Sequence, residues 1–328
     1  MSRFLPQYSA KDRTKFRKDT KVGTCLVLKY HRVSLLACDP LQTAVEPCNF
    51  ERQMEYLSEN FNIISINDVK QHLETATPFR EKTVAVTFDS GYADMFYVAA
   101  DVLNRYGIAA TVFIPSVNIV EGGRFWWDRL EELVLANHFS SRLEIRIDSQ
   151  LCRWPLTNQQ DRFRAYEDLY AILSDKKLLE RKAIMEQITA TLDFQSEQMD
   201  DHRVMNPQEV KRLEQGGLIT IGGHAHDCVK LSSLPKWQQA EEILKNRQVL
   251  EEILGHSVEY FAYPCDGDGG YTAETMNILE DSGFSLAFGS SFGAINVEEK
   301  VNCYDLPRVR VGNCRPFAFY KFLSRFFE

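Results

Sequence analysis

A chain of 328 residues has room for about two ordinary domains, or for one α/β barrel of about 250 residues with an insertion. Its 44% hydrophobic and 26% charged content is that of a folded globular chain, which sets aside the disordered and fibrous classes. The net charge of −8 argues against general nucleic-acid binding, and no apolar run reaches the roughly 18 residues of a membrane-spanning helix. Cysteines stand at 25, 38, 48, 152, 228, 265, 303 and 314 without a CxxC pair, and the N-terminus lacks the apolar core of a secretory leader. Together these read as a reduced, cytoplasmic chain.

Residues 1–22 carry seven Lys or Arg against two Asp and no apolar periodicity, which predicts a mobile basic arm. The ordered domain is expected over 23–328. Cys25–Tyr30 is a short apolar run suited to a buried strand, and Pro47 opens a helix whose stripe is Phe50, Met54, Leu57 and Phe61. Residues 62–66 read as a strand. Val84–Asp89 (VAVTFD) is a stronger one, ending abruptly in Ser90-Gly91. A helix over about 93–106 stops at Gly107 and leads into the strand Ala110–Ile114. Residues from about 124 to 205 are helix-rich and charged, with only 143–147 strand-like, and read as a helical insertion in the barrel. The alternation then resumes, with a helix from Pro207, a strand over 218–221, a helix from Pro235 to Gly255, and strands near 258–263 and 284–288 flanking a helix over about 272–282. Strands alternating with helices predict a mostly parallel sheet, and about seven of them favour a closed or slightly broken (β/α) barrel.

Active sites of parallel α/β folds gather at the C-terminal ends of strands. Four segments end an apolar strand with ionisable residues: Tyr30-His31-Arg32, Asp89–Asp94 (DSGYAD), His224–Cys228 (HAHDC) and Tyr263–Asp266 (YPCD). No GxGxxG or GxSxG motif competes with them. These segments, with ATVFIP, FWWDRLEEL, EEILKNRQVLEEILG and DLPRVRV, follow one another in the order seen in the polysaccharide deacetylases (the NodB-homology proteins, carbohydrate esterase family 4). The chain resembles the YHRV-containing branch of that family, which includes poly-N-acetylglucosamine deacetylases and enzymes of capsule and O-antigen loci.

The resemblance implies a deformed barrel and hydrolysis of an N-acyl group on an amino sugar, a polysaccharide or a lipid-linked glycan. It makes Asp89 the base, His31 the general acid, Arg308 the residue that steadies the base, and the backbone N–H of Cys265 a contributor to the oxyanion site. It also implies a divalent metal. The family's second aspartate is Ser90 here, and the second histidine of its metal motif is Cys228, so two of three ligand positions differ. Three readings follow. His224 and Cys228, helped by His226, Asp227 or Asp89, hold a rearranged metal, zinc by the softness of a thiolate; or the protein has no metal and is a catalytically silent sugar-binding or scaffold relative; or Cys228 acts as a nucleophile.

Asp266–Gly270 reads as a polar turn. Trp126 and Trp127 suit either sugar stacking or packing, and the aromatic segment 317–327 suits either docking on the barrel or peripheral membrane contact. No feature of the sequence sets an oligomeric state.

Overall fold

The computed structural model describes residues 23–137, 140–193, 202–264 and 269–327. The basic arm expected over 1–22 and Cys265 with the start of the 266–270 turn lie outside them. The strands in chain order are β1 (Thr24–Tyr30), β2 (Arg32–Val33), β3 (Ala44–Val45), β4 (Asn62–Ile63), β5 (Thr83–Asp89), β6 (Ala110–Ile114), β7 (Arg142–Ile147), β8 (Gln150–Pro155), β9 (Ile219–Gly223), β10 (Tyr260–Ala262), β11 (Leu286–Phe288), β12 (Ile295–Asn296) and β13 (Val309–Arg310). Two compact units emerge: one takes the described residues up to Gly122 and from Val204 onward, the other those of Gly123–Arg203.

The larger unit is a deformed (β/α) barrel. Its nine-stranded sheet runs β11-β10-β9-β6-β5-β1-β12, with β4 beside β5 and β13 beside β1. All neighbours are parallel except β12, which meets the start of β1 antiparallel. Every residue of β1 and β5 is buried, which is why both read as unbroken apolar runs rather than alternating ones. Between β11 and β1 the seam is crossed by one stretch of chain. The amide of Ala287 donates to the Cys303 carbonyl and that of Gly289 to Leu306, after which Val309 and Arg310 pair with Leu28 and Lys29. Arg308 lies on this closing stretch.

One buried cluster fills the barrel with Cys25 and Val27 of β1, Ala85 of β5, Phe113 of β6, Ala262 of β10 and Phe288 of β11. Alternation along a strand then directs Lys29, Thr87 and Asp89 to the same interior side. On the outer side Tyr30, Phe50 and Phe88 form a ring cluster beneath the Pro47–Asn60 helix. Gly222 faces the interior, where a Cβ would lie 2.5 Å from the ring of Phe113 and 3.0 Å from the Tyr260 carbonyl oxygen. Gly222→Ala is therefore expected to destabilise the protein by about 1–3 kcal/mol, the usual range for overpacking, read as a lower urea midpoint at unchanged slope.

Two elements differ from the sequence expectation, and one open alternative is resolved. The run 62–66 is a strand only over Asn62–Ile63, because Ser65 and Asp68 form a reciprocal capping box that starts a helix at Ile66. The insertion contains a hairpin, β7 paired antiparallel with β8, turned by Asp148 and Ser149 at φ 49° and 68°. That left-handed pair is what a two-residue hairpin needs, but it lacks the usual Asn-Gly signature. Trp126 and Trp127 pack with aromatic neighbours of their own unit, Trp126 on Tyr170 and Trp127 stacked on Phe125.

The aromatic C-terminal segment is a helix, Pro316–Phe327, that buries Phe319, Leu323 and Phe326. It docks on the Pro47–Asn60 helix, where Phe319 and Tyr320 meet Tyr56 edge-on. Among the described residues no helix is long and apolar enough to cross a membrane.

Candidate active site

Because β1, β5 and β9 are parallel, the residues ending or following them, His31, Asp89 with Ser90, and His224, leave the sheet at one rim. Asp89 is 3% exposed, and Arg308 grips it as a two-pronged fork: Nη1 donates to Oδ1 at 2.6 Å and Nη2 to Oδ2 at 2.8 Å. The Lys29 ammonium stands 3.6 Å from the same Oδ2, also buried. Burial alone would raise the Asp89 pKa. The charges of Arg308 and Lys29, joined by His224 when its ring is protonated, outweigh it and hold the carboxyl far below the usual carboxylate range, so Asp89 stays ionised. Arg308 is itself fixed over the Phe113 ring, and its Nε is buried without a hydrogen-bond partner.

His224 follows β9, on the same side as Gly222. Its amide donates to Asn246 Oδ1 at 3.0 Å, and Asn246 Nδ2 donates to the Ile114 carbonyl, tying β6 and the Lys236–Leu254 helix to this loop. Its Nδ1 is 2.8 Å from the Ala262 carbonyl oxygen. A carbonyl only accepts, so Nδ1 carries the proton and Nε2 of the neutral ring keeps its lone pair. Burial lowers the pKa of His224; Asp89 raises it and Arg308 lowers it further.

The loop after His224 is held by a carboxylate. Glu242 Oε2 accepts the amides of His226 and Asp227 at 3.1 and 2.8 Å, and burial raises its pKa to about 7 although both bonds oppose the rise. His226 pairs through Nδ1 with Ser116 Oγ at 2.8 Å. Ala225 and Cys228 adopt φ of 58° and 51°, and Ser90 adopts 83°, left-handed values that non-glycine residues rarely take and that concentrate at functional sites. His31 is partly exposed, with Nδ1 on the Tyr30 carbonyl oxygen at 3.0 Å. Beside it Arg32 donates to Asp94 Oδ2 at 2.9 Å while the Val33 amide donates to Oδ1, so the YHRV and FDSGYAD segments are pinned together.

The structure thus unites Asp89, Arg308 and His224 in one electrostatic cluster and adds Lys29, which the sequence pattern does not single out within the Cys25–Tyr30 run. The signal was available in parity. Positions 25, 27 and 29 share one face, so a fully buried β1 puts a lysine inside the barrel.

The donors among the described residues do not fit a divalent ion. Among the described residues no three His, Cys, Asp or Glu side chains gather as a metal site requires. Arg308 and Lys29 already surround the Asp89 carboxylate with positive charge, position 90 offers a neutral hydroxyl, and the Nδ1 atom of His226 is engaged by Ser116. The local cations oppose a further one.

The model of the polysaccharide deacetylase family matches residues 76–141 and 181–287, more than half of the chain. Over 301 residues, 92% of this chain and 76% of the relative, the sequence is 21% identical to YxkH of Bacillus subtilis (strain 168), named for the same activity. Among solved structures, IcaB from Ammonifex degensii superposes with a TM-score of 0.60 at 19% identity, covering 94% of this chain and 99% of that one. The Streptococcus pyogenes deacetylase PplD, solved in complex with acetate, gives 0.59 at 16% identity, covering 92% and 98%. These likenesses establish the fold, and the family match establishes descent: the chain belongs to the polysaccharide deacetylase family.

Proposed function

We propose that this protein hydrolyses the N-acyl amide of an amino sugar within a polysaccharide or lipid-linked glycan, in the cytoplasm, at the barrel rim around Asp89. The observation that carries the reading is the buried Asp89–Arg308 fork at the end of β5. A buried ion pair stabilises a fold less than apolar residues of the same volume, so a strained strand end that keeps one points to chemistry rather than packing.

In this reading the Asp89 carboxylate accepts an O–H of the attacking water, and Arg308 fixes the direction of that acceptor. The water oxygen bonds to the acyl carbon, and the C–N bond then breaks. His31 gives a proton to the departing nitrogen, because an amide anion is a very poor leaving group. The products are a carboxylate and a free amino sugar. His224 shares the field of Asp89 and presents an Nε2 acceptor toward the same chemistry. Cytoplasmic residence agrees with the scattered free thiols of the described residues, such as Cys25, Cys152 and Cys228. Contact with a membrane-borne substrate is supported by Phe317 and Tyr320, which the C-terminal helix leaves exposed beside Lys321.

The test is incubation with N-acetyl and N-formyl glucosamine oligomers, with the released acid identified by NMR and the new amine by fluorescent labelling. Stoichiometric acid and amine support the proposal. Saturable oligomer binding without either product overturns it in favour of a sugar-binding protein.

A further inference from the structure

Lys29 is a second buried cation at a carboxylate that Arg308 already satisfies. Lysine rarely lies inside a protein, and then only where its charge is used. Here the placement is dictated by the sheet. Lys29 is in register with Thr87, one strand over and two residues before Asp89, on the interior side. Its four-carbon stem continues the column begun by Cys25 and Val27 and brings Nζ to 3.6 Å from Asp89 Oδ2. Its charge is also felt at His224, the retained first histidine of the family's metal motif. The same site has a serine and a cysteine at two positions where the family resemblance implies an aspartate and a histidine ligand. A positive charge fixed to the backbone has entered as the donors for a mobile one have gone.

We propose that the Lys29 ammonium is the resident cation of this site: it supplies the positive charge beside Asp89 and keeps divalent ions out. An ammonium needs no ligand set, since its hydrogens point at oxygen acceptors directly, whereas a divalent ion needs several anionic or imidazole donors. Repulsion between a fixed ammonium and an incoming dication a few ångströms away, in a buried place, is strong enough to decide occupancy. The site is then metal-free by construction, and restoring the ligands without removing the lysine does not restore the metal. This deepens the hydrolase reading only in sharing its location, and its test uses no turnover, so either can fail alone.

The experiment compares zinc binding, by elemental analysis after dialysis and by competition with a chromophoric chelator, in four full-length proteins. They are the parent, Lys29→Met, the pair Ser90→Asp with Cys228→His, and the pair combined with Lys29→Met. Thermal melts establish that each is folded, and Lys29→Gln carries the same prediction if Lys29→Met does not fold. The expected result is no stoichiometric zinc in the parent and weak binding in the pair. The combination should bind one zinc per chain at least about 100-fold more tightly than the pair. Lys29→Arg in place of Lys29→Met should return the combination to weak binding, since charge and not side-chain identity is the agent. Equal affinity of the pair with and without Lys29, or one tightly held zinc in the parent, overturns the proposal.

Discussion

Asp89→Asn is expected to destabilise the folded protein by about 3–5 kcal/mol at pH 7, because it leaves Arg308 and Lys29 buried beside a neutral amide. The loss depends on pH in a defined direction. Asp89 has a folded pKa held below the ordinary 3.8, so the stability from its charge is fully present above that value. It drains away as pH falls through the folded value, where the folded state must take up the proton. Urea unfolding of the parent and of Asp89→Asn should therefore differ by a constant amount from pH 7 down to about 5, and the gap should narrow below 3.8. Arg308→Met should be comparably damaging. The double variant Asp89→Asn with Arg308→Met should cost clearly less than the two single losses added, because no guanidinium is then stranded and Lys29 alone is left without its carboxylate. Additive losses would mean that the fork is incidental to the fold.

His31→Ala should separate a working acid from a packing residue by its effect on two leaving groups. Expulsion of an amine needs a proton, and removal of a general acid usually costs about 10²–10⁴-fold. A phenolate leaves an aryl acetate with far less help, so the same substitution should spare ester hydrolysis largely or wholly. His31 is partly exposed at the barrel rim, so the fold should tolerate the change. Equal losses on amide and ester, accompanied by a lower melting temperature, would assign His31 to structure.

How far the sequence discloses this site depends on whether the relevant physics is local. Asp89 was legible because a run of buried β-formers ending in Asp-Ser-Gly has one interpretation in a parallel sheet, and the His224 segment was legible for the same reason. The 65–68 capping box was equally local, but the apolar run over 62–66 masked it. The Asp148–Ser149 turn was opaque, since Asp tolerates left-handed backbone but Ser, which takes the second left-handed position, is no customary carrier of it. Arg308 could be pointed to only through resemblance. Its partner is 219 residues away in the chain, and the contact exists because the stretch that closes the barrel seam happens to run past β5. Lys29 was hidden by composition, as a single lysine at the end of an apolar run looks like a strand reaching solvent. Only the knowledge that both faces of β1 are covered turns it into a buried charge.

The most direct measurement is the rate of free-amine release from one N-acetylated glucosamine oligomer by the parent, His31→Ala and Asp89→Asn, each purified without added metal and assayed where melts show it folded. The account predicts turnover by the parent, a loss of about 10²–10⁴-fold in His31→Ala, and no detectable release by Asp89→Asn. Release by Asp89→Asn at the parent's rate would contradict it, because the buried carboxylate around which Arg308, Lys29 and His224 are gathered would then have no part in the reaction.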